Sequence, residues 1–171
     1  MSHRYRTTLV SLLGVLVLSG AASSASAQAK SASKASPPKA AAATEKLTWT
    51  AGPPNLPRGA RMAVVSGDPS KSGPFEVRLS MPNGYKIPPH FHPTDETVAV
   101  KSGAFLYGMG DKMDRAQMKT MKPGQSGSIP ANTHHYATAR GKTQISVSGQ
   151  GPFVTTYVNP ADDPSNKTAK K

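Results

Sequence analysis

The stretch Gly84-Tyr85-Lys86-Ile87-Pro88-Pro89-His90-Phe91-His92-Pro93-Thr94-Asp95-Glu96-Thr97-Val98-Ala99-Val100-Lys101-Ser102-Gly103 carries most of the chemistry in this chain. Side chains on an extended strand alternate between faces, so His90 and His92, two apart, point the same way and can share one metal ion. Glu96, Val98 and Val100 have the same parity. A single strand in this register presents two imidazoles, a carboxylate and an aliphatic floor to one interior. Neutral imidazoles with a carboxylate suit first-row divalent ions rather than calcium or magnesium. Pro82-Asn83-Gly84 reads as a turn leading into the stretch. Pro88-Pro89 forces an extended approach to His90 and removes two backbone donors, which suits an edge or barrel-rim position.

This spacing resembles the first motif of the cupin family: Gly84, five residues, His90-x-His92, three residues, Glu96, six residues, Gly103. The second cupin motif is resembled by Gly124-Gln125-Ser126-Gly127-Ser128-Ile129-Pro130-Ala131-Asn132-Thr133-His134-His135-Tyr136-Ala137-Thr138-Ala139, with two departures. Asn132 stands where the motif has Gly, a mild change because Asn tolerates a left-handed backbone. Ala139 replaces the closing Asn and removes any side-chain bond made from there. The resemblance spans roughly residues 61–158 and implies that His135 is a fourth metal ligand beside His90, His92 and Glu96. It also implies a jelly-roll β-barrel with the metal inside one mouth. Such barrels host dioxygenases, decarboxylases, isomerases and plain binding proteins, so the fold does not name the reaction. Many cupins are dimers, and a homodimer is the assembly the resemblance implies, although no strand in the sequence identifies an interface.

Outside the two motifs the sequence bounds the answer. Cysteine is absent, which excludes disulfides, thiolate metal sites and cysteine nucleophiles. A formal charge of +12 raises the question of nucleic-acid or membrane-surface partners. Arg4 and Arg6 belong to the N-terminal leader, however, and between Leu47 and Asn159 there are twelve Lys or Arg against six Asp or Glu, with no basic run. Solvated surface accounts for that excess, and no nucleic-acid partner is expected. Residues 1–27 have the form of a secretory signal peptide: a basic start, the apolar run Leu9–Leu18 and the small residues Ala25-Ser26-Ala27. Cleavage is expected after Ala27. The apolar run is about half the roughly 20 residues that cross a bilayer, so no stable membrane anchor is expected. The protein is therefore expected to be exported, to the periplasm or the extracellular space.

Residues 28–46 are Ala, Ser, Lys and Pro without a large hydrophobe, and read as a disordered linker. Residues 160–171 read as a flexible basic tail. Between them, residues 47–159 show all-β punctuation, short alternating runs separated by Gly, Pro, Asn and Ser. The expected strands are 61–66, 74–81, 96–102, 104–109, 127–129, 134–139, 143–148 and 153–158. Phe75, Val77, Leu79 and Met81 alternate with Glu76, Arg78 and Ser80, which gives that strand one dry and one wet face. About eight such strands close a small barrel whose interior holds side chains or one small ligand.

His134 and His135 have opposite parity, so only one faces the interior. The motif spacing selects His135. Three imidazoles and a carboxylate leave open positions on an octahedral ion, as in a catalytic centre. Iron, manganese, nickel, copper, cobalt and zinc are all compatible. The function expected is a metal-dependent enzyme of dioxygenase, decarboxylase or isomerase type acting on a small oxygen-rich organic molecule. The alternative is a non-enzymatic metal- or ligand-binding envelope protein. The sequence marks no further acid or base catalyst. Met109, Met113, Met118 and Met121 follow no fixed repeat and read as packing residues, as do Tyr107 and Tyr136.

Overall fold

The computed structural model describes residues 46–168, all within one compact unit. The expected signal peptide and all but the last residue of the expected linker lie outside the described residues. Nine strands form one curled, antiparallel sheet: β1 (Thr50–Ala51), β2 (Arg61–Ser66), β3 (Gly73–Met81), β4 (Lys86–Phe91), β5 (Glu96–Met109), β6 (Lys119–Met121), β7 (Ser126–Ile129), β8 (His135–Gly151) and β9 (Thr156–Tyr157). The order along the sheet is β1-β2-β3-β8-β4-β9, and β5 pairs with β6, β7 and β8. This is the jelly-roll expected from the sequence. Among the described residues no helix is long and apolar enough to cross a membrane.

The alternation in β3 sets its orientation. Phe75, Val77, Leu79 and Met81 are buried while the residues between them keep partial contact with solvent. Each buried side chain contributes roughly 1.5–3 kcal/mol relative to exposure, and a register slip of one residue would turn all four outward. They join Val98, Val100, Phe105, Ile145 and Val147 in one core.

Four expected strands merge into two. The runs 96–102 and 104–109 are halves of β5, and 134–139 and 143–148 are halves of β8. The two long strands pair from Glu96↔Gly149 to Met109↔His135, with register shifts around Ser102. Gly103 bends the ladder there. Its φ is +76°, and a Cβ would lie 2.5 Å from the Lys142 carbonyl oxygen and from Thr143 Oγ1. Thr143, fully buried, bonds from its hydroxyl to Ala104 O at 3.1 Å. The turn signals near Gly103 and Gly141 therefore mark a bend in two continuous strands and not the ends of four.

The shared register of His90, His92 and Glu96 is carried by two strands, and the strand expected to begin at Glu96 does begin there. β4 stops at Phe91, Pro93 and Thr94 bend the chain, and β5 starts at Glu96. Pro93 has no N–H to donate to a ladder, which favours a break at this point. β4 itself, read from sequence only as an extended approach, pairs with β8 and β9, and its register with β8 shifts between Ile87 and His90, across Pro88-Pro89. Strand β6 has no counterpart in the sequence reading, and the expected strand 153–158 shortens to β9. The tail beyond Asn159 begins with ordered turns. The Asn159 side chain accepts from the Ala161 N–H over Pro160–Asp162, and one helical turn follows at Ser165–Thr168.

The segment between β1 and β2 is tied over one end of the barrel. Tyr85 donates its hydroxyl to Pro57 O at 2.5 Å and Tyr157 donates to Asn55 O at 2.7 Å. Burial pushes both phenols well above the usual tyrosine value.

Candidate metal centre

His90, His92, Glu96 and His135 come together inside the barrel from three segments. His90 is on β4 directly opposite His135 on β8, His92 follows β4, and Glu96 opens β5. All four are buried, between 4% and 7% exposed. The rings of His90 and His135 have centroids 4.2 Å apart, those of His90 and His92 5.0 Å, and those of His92 and His135 5.4 Å. Ring nitrogens of the three histidines lie within 4.8 Å of one another. Three buried histidines are thus grouped so that they can bind a metal ion.

The orientation of each ring is set by a backbone carbonyl. His90 Nδ1 lies 2.7 Å from Pro88 O, His92 Nδ1 2.8 Å from Val154 O and His135 Nδ1 2.9 Å from Thr133 O. A carbonyl only accepts, so each Nδ1 carries the proton and donates it. In a neutral ring that leaves Nε2 as the lone-pair nitrogen. Burial, followed by the neighbouring imidazoles of His135 and His92, pushes the His90 proton affinity well below the ordinary histidine value. Burial lowers that of His92 too, against a partial rise from Glu96 and the Val154 bond.

Glu96 makes the arrangement chemically pointed. Its Oε2 is buried without a hydrogen-bond partner, 3.2 Å from His135 Nε2 and 3.6 Å from His92 Nε2. The short separations have the form of ion pairs, but rings whose Nδ1 holds the proton turn a lone pair toward the carboxylate. A cation shared between the carboxylate and such rings satisfies both acceptors. The three imidazole nitrogens are grouped so that one ion could take them together, and Glu96 Oε2 lies beside two of them.

The neighbouring residues of the second motif behave as alternation requires. His134 is turned the other way, with its Nδ1 2.5 Å from Asp111 Oδ1 and its ring stacked on Phe91. Asn132 has φ +59°, and its N–H donates to His92 O at 2.7 Å. Ala139 stays within the ladder through its backbone, exchanging bonds with Tyr85 O and the Gly84 N–H at 2.9 Å. Tyr136 is buried on the far face with its hydroxyl on Asp114 O. Met109 is exposed, Met121 is buried, and Met113 and Met118 lie between.

A cavity of about 410 Å³ adjoins the four residues and runs through the barrel interior. Phe153, read from sequence only as part of a strand, stacks on His92 with centroids 4.0 Å apart and meets Phe75 at 5.0 Å. Tyr107 lines the cavity as well, and its hydroxyl has no partner among the described residues. Leu56 and Met62 reach in from the N-terminal side. Nothing local in the sequence marks these residues, nor the three carbonyls that aim the rings, because each acts through a contact distant along the chain.

The fold and the buried histidine cluster define a small β-barrel of the kind that holds a metal in its mouth. Residues 77–148 match the family model described as a cupin domain, which supports membership of the cupin superfamily. A comparison with curated proteins gives no match. Among solved structures, the polyketide cyclase RemF from Streptomyces resistomycificus superposes with a TM-score of 0.55 at 17% identity, over 72% of this chain and 88% of the other. The DMSP lyase DddQ from Ruegeria pomeroyi gives 0.52 at 15% identity, over 65% of this chain and 60% of the other. Likeness at that level of identity carries the fold and not the reaction.

Proposed function

We propose that His90, His92, Glu96 and His135 hold one divalent transition metal ion, and that the protein is an exported metal-dependent enzyme acting on a small organic molecule in the adjoining cavity. The reaction classes in keeping with the site are dioxygenation, decarboxylation and isomerisation. The observation that carries the proposal is the buried, unpartnered Oε2 of Glu96 facing two imidazole lone pairs. A bound ion supplies Lewis acidity or a centre for oxygen activation. Burial of His90 and His92 favours their neutral rings, and three backbone carbonyls hold the Nδ1 atoms of His90, His92 and His135 so that the Nε2 atoms are left for a ligand. Glu96 serves as a ligand and not as a free base. Export follows from the leader of residues 1–27, with cleavage after Ala27.

A second proposal is a non-enzymatic binding protein. It is favoured by the scarcity of other titratable groups in the cavity, where among the described residues only Tyr107 and Asp68 accompany the four site residues. Elemental analysis of the purified mature domain before and after chelation tests the metal centre, and close to one equivalent of a transition metal is expected. Turnover across a panel of small organic molecules that disappears in His92→Ala selects the enzyme. Stoichiometric metal without turnover of any panel member selects the binding protein.

A further inference from the structure

The lining of the cavity describes what it takes. Its walls beyond the histidines come from β3, β5 and β8 as Phe75, Val77, Leu79, Val98 and Val147, and Phe153 stands beside His92. The chain has 21 Lys and Arg, yet among the described residues none lines the cavity. The fully charged side chains there are Glu96 at the metal end and Asp68, and both are negative. Asp68 is already engaged at the surface with Lys71 at 3.3 Å and with Ser70.

These facts limit the charge and the polarity of an occupant. A divalent ion with Glu96 leaves one uncompensated positive charge, enough for one anionic oxygen. A second carboxylate further in would be a buried charge with no cationic partner, and sugar hydroxyls set against Val77, Leu79 and Val147 would lie unpaired, the uncharged polar side chains of the lining being Asn55, Ser70, Tyr107 and Thr155. Conversely, Phe75, Phe153 and His92 pack into one aromatic cluster beginning at the metal end, with ring centroids 5.0 and 4.0 Å apart, and this cluster is apolar contact surface for the hydrocarbon part of an occupant.

We infer that the cavity takes a mainly apolar molecule that presents a single chelating oxygen pair, with no more than one negative charge, to the metal end, and that it rejects dicarboxylates and sugars. This rests on the metal centre proposed above and narrows its substrate: the oxygens belong at one end of the molecule and the rest is hydrocarbon. At about 410 Å³ the cavity is near the lower end of the roughly 300–1,000 Å³ range for drug-sized ligands, which suits a compact skeleton.

The test compares two probes that close the same six-membered chelate ring, 1-hydroxy-2-acetonaphthone and malonate, on the mature protein. Cobalt(II) is loaded first and its visible absorption reports entry of a ligand. Naphthone fluorescence is followed in parallel on cobalt-loaded and metal-free protein. The expected result is that the naphthone binds at least tenfold tighter than malonate. Phe153→Leu should weaken the naphthone by about three- to tenfold through loss of the aromatic contact, and should weaken malonate by less, with cobalt stoichiometry measured alongside to separate any effect on His92. Malonate binding as tightly as the naphthone, or no naphthone binding to either form, overturns the inference. Failure of cobalt to bind would instead count against the metal centre alone, and the naphthone–malonate comparison on metal-free protein would still decide the polarity of the cavity.

Discussion

Replacing Glu96 by Gln should change stability in opposite directions with and without metal. In the metal-free protein Glu96 Oε2 is buried, unpartnered and 3.2 Å from a ring nitrogen that offers a lone pair. An unsatisfied buried polar atom costs about 1–3 kcal/mol. Glutamine has nearly the same shape, and its amide N–H₂ can donate to His135 Nε2 or His92 Nε2. Metal-free Glu96→Gln should therefore be more stable than the parent by about 1 kcal/mol, a rise in Tm of roughly 3–6 °C for a domain of this size. Added metal reverses the order. An ion at a hundredfold excess over its Kd stabilises by about 2.7 kcal/mol, and the variant, which lacks the anionic ligand, should gain much less. The assay is thermal unfolding followed by circular dichroism, first with chelator and then across a zinc or cobalt titration. If Glu96→Gln lowers the Tm equally in chelator and in metal, the carboxylate is an ordinary structural group and the argument from its unpartnered oxygen fails.

The tyrosines that hold the segment between β1 and β2 should make the fold sensitive to alkali. Both phenols have folded-state proton affinities above their unfolded values, so their stabilisation is complete below about pH 10 and is lost as pH rises beyond it, because the unfolded chain ionises first. Tyr85→Phe and Tyr157→Phe should each lower stability at pH 8 by about 1 kcal/mol through the lost hydrogen bond, yet fall less than the parent between pH 9 and pH 11. An unchanged pH profile in thermal melts of both variants would contradict this. For export, the mass of the protein recovered outside the cytoplasm should correspond to a chain beginning at Gln28, whereas an intact Met1 would contradict cleavage after Ala27.

Local sequence determined what depends on alternation and on backbone chemistry. The pattern Phe75, Val77, Leu79, Met81 suffices for a strand with one buried face, because burying four side chains on one side outweighs any other register. Opposite parity suffices to send His134 to Asp111 and the surface while His135 turns inward. Asn132 occupies a left-handed backbone at φ +59° that few other side chains tolerate. Only the tertiary structure decided which distant segments meet. It broke the stretch from His90 to Glu96 at Pro93 and returned the pieces to one site. It joined four short runs into two long bent strands at Gly103, and it brought Phe153 and the Val154 carbonyl against His92, 62 residues from the latter. Those outcomes follow from pairing between strands far apart in sequence, where the free energy comes from shared burial and completed ladders and no short window of residues carries the signal. The polarity of the cavity has the same origin: it is set by which faces of β3, β5 and β8 enclose it once the sheet has curled.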